Sequence, residues 1–193
     1  MVNQYAKFLV TFVRHPVAVG AIAPSSRHLA ELMVEDMDLH RADTVVEIGP
    51  GTGVFTRVIQ DHIPPEAALI AVELNAEFAA DLKQKLPRAH IVNGSAEHLR
   101  EYLKQHGKTS TDAILCGLPW ASFPRDLQSR LVSAIYDSLK PGGRFATFAY
   151  CHGAWLPQAR RFQRMLKSTF ANVETTRIVW RNIPPAWVYR CEK

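Results

Sequence analysis

Val45-Val46-Glu47-Ile48-Gly49-Pro50-Gly51-Thr52-Gly53 reads as a buried β-strand running straight into three glycines at alternate positions. A helical apolar period starts at Val54, so the stretch is a strand, a glycine turn and a helix N-terminus. Glycine suits the reversal at the strand's carboxyl end, where positive φ or a close backbone approach to a ligand leaves no room for a Cβ. Working outward, short apolar runs recur at Thr44 to Ile48, Leu69 to Glu73, Ala89 to Asn93, Asp112 to Cys116 and Arg144 to Ala149. They are nearly continuous in apolar character, as strands covered on both faces of a parallel sheet must be. Helical patterns at Val54 to Gln60, Ala76 to Leu86, Glu97 to Gln105, Pro124 to Leu139 and Pro157 to Ser168 lie between and after them. The alternation predicts an α/β, doubly wound, mostly parallel sheet. Val173 to Val179 and Trp187 to Tyr189 are joined through Asn182-Ile183-Pro184-Pro185 without a helix, which predicts a terminal antiparallel hairpin closed by a tight turn.

The 193 residues, 47% hydrophobic and 21% charged, are enough for one core and exclude disorder and collagen-like repeats. The expected organisation is a single domain over 1–193, with an N-terminal amphipathic helix and cover in 1–35 and a core in 44–193. A formal charge of +5 favours anionic partners without naming them. Cys116, Cys151 and Cys191 are odd in number and lack metal-ligand spacing, so neither a disulfide framework nor a metal site is expected. The chain lacks a continuous apolar run long enough to span a bilayer, and its start lacks the pattern of a signal peptide.

The glycine spacing is G-x-G-x-G, with Glu47 two positions before the first glycine, and this departs from the dinucleotide pattern. A carboxylate there would repel a pyrophosphate but welcomes a cation. S-adenosyl-L-methionine carries an ammonium and a sulfonium and no phosphate. Glu73, twenty residues after Gly53, is placed to accept both ribose hydroxyls, with Leu74 beside it. Ser95-Ala96-Glu97, after the third strand, reads the adenine edge, caps the next helix, or does both.

These motifs, with Gly117-Leu118-Pro119-Trp120 after the fourth strand and Pro141-Gly142-Gly143 before the fifth, resemble the class I S-adenosylmethionine-dependent methyltransferases. The resemblance implies a Rossmann-like seven-stranded sheet with a reversed hairpin. It also implies cofactor contacts from Ser25, Glu47, Gly49, Gly51, Gly53, Glu73, Leu74, Ser95, Ala96, Glu97 and Gly117, with S-adenosyl-L-homocysteine as product. In the rRNA adenine dimethyltransferases, to which the domain is also similar, the acceptor loop begins with Asn or Asp. An Asn or Asp side chain there can hold a weakly basic amine in line; Gly117 offers only backbone. An alkyl amine, once deprotonated, needs positioning more than a side-chain acceptor, and the face of Trp120 is suited to methylated ammonium forms.

Gly20 to Arg27, the Gly117 loop and Val179 to Arg190 resemble the small bacterial phospholipid N-methyltransferases over essentially the whole chain. That likeness implies methylation of phosphatidylethanolamine and its methylated forms toward phosphatidylcholine, by a peripheral enzyme on the cytoplasmic face of the membrane. Tyr5, Phe8, Leu9, Phe12 and Val13 share one helical face opposite Lys7 and Arg14. This is the pattern of an interfacial helix on anionic lipid, or of one docked on the domain. Gly117, Leu118, Pro119, Trp120 and Tyr5 are the candidate catalytic residues, with His152 a further candidate proton acceptor. Trp120, Arg181 and Arg190 are candidates for holding the substrate, the arginines through its phosphate; Trp120 is alternatively a packed core ring and either arginine a solvated surface residue. Ser25 and Ser26 either bind the methionine carboxylate or cap the helix opened by Arg27. An RNA adenine methyltransferase and a non-catalytic cofactor-binding membrane-surface protein are the rival readings.

Overall fold

A computed structural model describes residues 26–193. Tyr5, Ser25 and the amphipathic stripe from Tyr5 to Arg14 lie outside the described residues. Seven strands, β1 Thr44–Ile48, β2 Ala68–Glu73, β3 His90–Asn93, β4 Thr111–Cys116, β5 Leu139–Tyr150, β6 Asn172–Thr175 and β7 Ala186–Glu192, form one sheet in the order β3-β2-β1-β4-β5-β7-β6. The first five are parallel, whereas β7 runs antiparallel to both β5 and β6. This is the expected doubly wound architecture with its reversed end.

Both faces of the sheet are covered, which is why β1 is buried at all five positions. Helices α1 Arg27–Val34, α2 Val54–His62 and α3 Ala76–Lys85 pack Met33, Ile59 and Leu82 on one side. On the other, α4 Leu99–Gln105, α5 Arg125–Ser138 and α6 Pro157–Thr169 contribute Leu103, Ile135 and Phe162. Alternate residues of a strand serve opposite faces, so Val45 joins the first cluster and Val46 the second. Helices α1 and α3 start where short polar side chains satisfy otherwise orphaned amides: Ser26 accepts from Leu29, and Asn75 accepts from Glu77 and Phe78.

Three details differ from the sequence reading. The helix expected from Glu97 begins as a 3-10 turn over Ala96–His98 before α4. Strand β5 starts at Leu139, not Arg144, and takes in the glycines as an irregularity: Gly142 has φ +70°, and the pairing with β4 shifts between Thr111 and Ala113. The expected tight hairpin turn is instead a pinned loop over 176–185. There the Thr176 hydroxyl takes the Val188 amide at 3.0 Å and the chain leaves the ladder, touching it again only as Val179 bridges Ala186. Asn182 is drawn inside, accepting from the Ser26 amide at 2.8 Å and donating to the Pro184 carbonyl at 2.7 Å. Two consecutive prolines have no N–H with which to close a short hairpin, so side chains organise the connection.

Candidate active site

The carboxyl ends of β1, β4 and β5 open into a cavity of about 500 Å³. Gly49 and Gly51 form one side, the Gly117 to Trp120 loop the middle, and Phe148, Tyr150, Trp187 and Tyr189 the far wall. Among the described residues, no Asp, Glu, Lys or Arg lines it, and His152 is its one imidazole. The lining therefore suits a neutral or apolar-flanked group, with charged side chains kept just outside.

The three glycines of the turn do different work. Gly51 has φ +55° and open space where a Cβ would stand, so its backbone is presented to the cavity. Gly49, at φ +71°, lies against Leu118, with 3.1 Å from an added Cβ to the Leu118 Cδ2. Gly53 caps α2 at φ +80°, and a Cβ there would meet Leu82 and Leu86 at 2.9 Å. Gly53 does not line the cavity; its missing side chain lets α2 and α3 close together.

Glu47 is 1% exposed, and neither of its oxygens has a hydrogen-bond partner among the described residues. Burial pushes its pKa up to about 8; the Thr56 hydroxyl opposes this and the Glu73 carboxylate adds to it. A buried carboxyl group without a hydrogen-bond partner, beneath a glycine turn, is one that a ligand cation would satisfy. Glu73 is also buried, and burial raises its pKa against the amides of Asn75, Gly51 and Leu74. Its two oxygens accept from Gly51 at 3.1 Å and Asn75 at 2.8 Å, and each keeps a lone pair for a hydroxyl. Asn93, on β3, donates to the carbonyls of Glu73 and Leu74 and so holds this strand end. The residues present therefore fit a cationic, ribose-bearing cofactor.

At the end of β3, the Ser95 hydroxyl accepts the Glu97 amide at 3.3 Å, a capping contact, and Ala96 is buried beneath it. Glu97 is also tied to Arg130 at 2.5 Å, which leaves its second oxygen facing Ser95. Ser26 is a helix cap, with its hydroxyl on the Leu29 amide at 3.2 Å.

The structure places the three residues expected to hold the substrate in different surroundings. Arg190 is bound to Asp36 at 2.7 Å, Glu35 at 3.1 Å and the Leu32 carbonyl at 3.0 Å. It therefore anchors α1 to β7 and is not available to a phosphate. Trp120 is 3% exposed and stacks on Phe162 with centroids 4.2 Å apart, so one ring face is already covered. Its N–H donates to the Thr147 hydroxyl at 2.8 Å, and that hydroxyl donates to the Cys116 carbonyl at 2.9 Å. The indole is a fixed wall of the cavity. Arg181 is exposed and outside the cavity, 3.4 Å from His28.

The sequence reading missed Thr147 and Gln128, which brace the acceptor loop; Gln128 donates to the Trp120 carbonyl at 2.7 Å. A lone hydroxyl in the apolar run of β5 was the available signal for Thr147. Nothing in the helical period marks Gln128. The aromatic far wall was also missed, because it draws on two strands distant in sequence, β5 and β7.

A methyltransferase domain family profile matches residues 45–143. The chain is 34% identical to the ornithine lipid N-methyltransferase of Singulisphaera acidiphila over 192 residues, covering 98% of this chain and 96% of that one. To the ribosomal RNA small subunit methyltransferase A of a Hydrogenobaculum species it is 37% identical over 71 residues, only 37% of this chain and 27% of the relative. In fold it is similar to the O-methyltransferase from Bacillus cereus solved in complex with SAH, with a TM-score of 0.70, 13% identity and coverage of 100% and 97% of the two chains. A glycine turn between two buried carboxylates, on this sheet and with these relatives, places the chain in the class I S-adenosylmethionine-dependent methyltransferase family.

Proposed function

We propose that this chain transfers methyl groups from S-adenosylmethionine to the aliphatic amine at the polar end of a membrane lipid, at the membrane surface. Phosphatidylethanolamine and its methylated forms, toward phosphatidylcholine, are the acceptors the sequence favours. The relative named for ornithine lipid points to the same chemistry, an alkyl amine on a lipid headgroup. The observation that carries the reading is Gly117, where an added Cβ would stand 2.8 Å from the Gly49 carbonyl. The loop is packed so that no Asn or Asp can hold a weakly nucleophilic nucleobase amine there. An alkyl amine needs only a backbone acceptor, alignment and exclusion of water, and the lining supplies these.

In this reading Glu47 faces the methionine ammonium, Glu73 the ribose and Ser95 to Glu97 the adenine, while Gly51 presents its backbone to the cofactor. The cofactor supplies a methyl group on a sulfonium. The Gly117 to Trp120 loop holds the amine in line, so that its lone pair forms the N–C bond as the C–S pair returns to sulfur. The amine's proton goes to water or to His152 at the cavity's exposed side. Peripheral attachment is compatible with the described residues, of which no helix is long and apolar enough to cross a membrane.

The test is transfer of labelled methyl to anionic vesicles containing phosphatidylethanolamine or ornithine lipid, with rRNA and lipid-free reactions in parallel. Label in a lipid amine is expected, and its distribution between the two lipids identifies the headgroup. Label in RNA alone would overturn the reading.

A further inference from the structure

Two loops at the cavity's edge carry large apolar side chains that the fold leaves in solvent. Trp155 and Leu156 follow β5 and are 77% and 46% exposed; Ile178, Trp180 and Ile183 follow β6 and are 37%, 73% and 63% exposed. Sheet register brings the loops to the same edge. Tyr150 at the end of β5 pairs with Ala186 at the start of β7, and Thr175 at the end of β6 pairs with Tyr189. Leu156 and Ile178 both line the cavity, so the exposed set frames its mouth.

The charge around these loops is one-sided. Residues 151–183 contain Arg160, Arg161, Arg164, Lys167, Arg177 and Arg181 against a single carboxylate, Glu174, a surplus equal to the +5 of the whole chain. Arg160 stands 5.9 Å over the Trp155 ring, and Arg177 and Arg181 share a groove with Trp180. Carboxylates bordering that groove are engaged elsewhere, Glu31 with Arg27 and Glu35 with Arg190.

We propose that the Trp155 and Trp180 loops dock the protein on an anionic lipid bilayer, with the cavity mouth against the headgroups. Indole rings favour the boundary between hydrocarbon and water, and guanidinium groups meet lipid phosphates there. No carboxylate in either loop opposes this contact. The inference rests on the lipid reading for the meaning of the mouth: a headgroup enters between the loops while its acyl chains stay in the bilayer. It is separate from any contribution of the amphipathic stripe at Tyr5 to Arg14.

The full chain is sedimented with vesicles of phosphatidylethanolamine and phosphatidylglycerol, with neutral phosphatidylcholine vesicles in parallel. Binding to the anionic vesicles is expected to be at least tenfold tighter. Trp155→Ala with Trp180→Ala should lower that affinity tenfold or more and leave the melting temperature and the affinity for S-adenosylhomocysteine unchanged. Indole emission should move to the blue on adding anionic vesicles, and the double variant should lose the shift, because Trp120 is already buried and Trp187 half-buried. Wild-type vesicle affinity in the double variant, or no vesicle binding by the parent, overturns the proposal. So does dimerisation or RNA binding that the double variant abolishes while vesicle binding persists, since the surface then belongs to a second copy or a nucleic acid. Sedimentation requires no turnover, so vesicle binding through these tryptophans without methylated lipid would sink the proposed acceptor and leave the docking surface standing.

Discussion

The carboxylate of Glu73 accepts the amide of Gly51 at 3.1 Å, so the residue that ends β2 also fixes the turn that follows β1. One side chain thereby couples the ribose end of the proposed cofactor site to the backbone beside the cavity. Glu73→Gln keeps the shape but leaves one acceptor oxygen for two amides. Binding of S-adenosylhomocysteine, measured by calorimetry, should weaken tenfold to a hundredfold, in line with the ~1.5–3 kcal/mol of a charged hydrogen bond. A loss below twofold would remove Glu73 from the binding site.

In the proposed site, Glu47 should make cofactor binding depend on pH. With its pKa raised to about 8, the folded apoprotein keeps a proton between about pH 4.5 and 8 that the unfolded chain has lost. Apoprotein stability from this group is therefore full below about pH 4.5 and is lost as pH rises through 8. A ligand ammonium favours the ionised form, so affinity for S-adenosylhomocysteine should rise with pH up to about 8, by as much as tenfold per unit, and then level off. Proton release should appear as a dependence of the calorimetric enthalpy on the buffer. Glu47→Gln should flatten both profiles; an unchanged slope would place the titration elsewhere.

Gly117→Asn tests whether the acceptor loop can be converted to the nucleobase type. The new Cβ would lie 2.8 Å from the Gly49 carbonyl, a backbone atom that cannot swing away. Destabilisation of ~1–3 kcal/mol is expected from thermal melts, with methyl transfer to lipid falling and none to RNA appearing. A stable variant that methylates adenine would contradict the packing account of substrate choice.

Thr147→Val removes the acceptor of the buried Trp120 N–H without changing the side chain's shape. The orphaned donor should cost ~1–3 kcal/mol in denaturant unfolding, and the freed loop should lower turnover more than cofactor affinity. Thr147→Ser retains the hydroxyl and should restore most of both. A larger effect of Ser than of Val would show that the methyl group, not the hydrogen bond, matters.

The sequence by itself determined the order of strands and helices, the glycine turn and the two carboxylates that flank it. Each is written in local periodicity or in spacing along one βαβ unit, where chain connectivity does the positioning. Continuous apolar runs in β1, β2 and β4 declared burial on both faces before any partner was known, whereas β3, at the sheet edge, is exposed at both its ends.

Tertiary structure alone decided what the charged and aromatic residues near the carboxyl end do. Sequence left Arg190 open between a phosphate contact and a surface arginine until β7 placed it beside Glu35 and Asp36, and Trp120 open between a ligand-facing and a packed ring until α6 laid Phe162 on it. The same folding separated Gly53, which only lets two helices meet, from Gly51, which faces the cavity. A side chain's local pattern gives its type and direction. Whether it meets a ligand, a counter-ion or another ring depends on which distant strand or helix is packed opposite, and that follows from the sheet order rather than from neighbours in the chain.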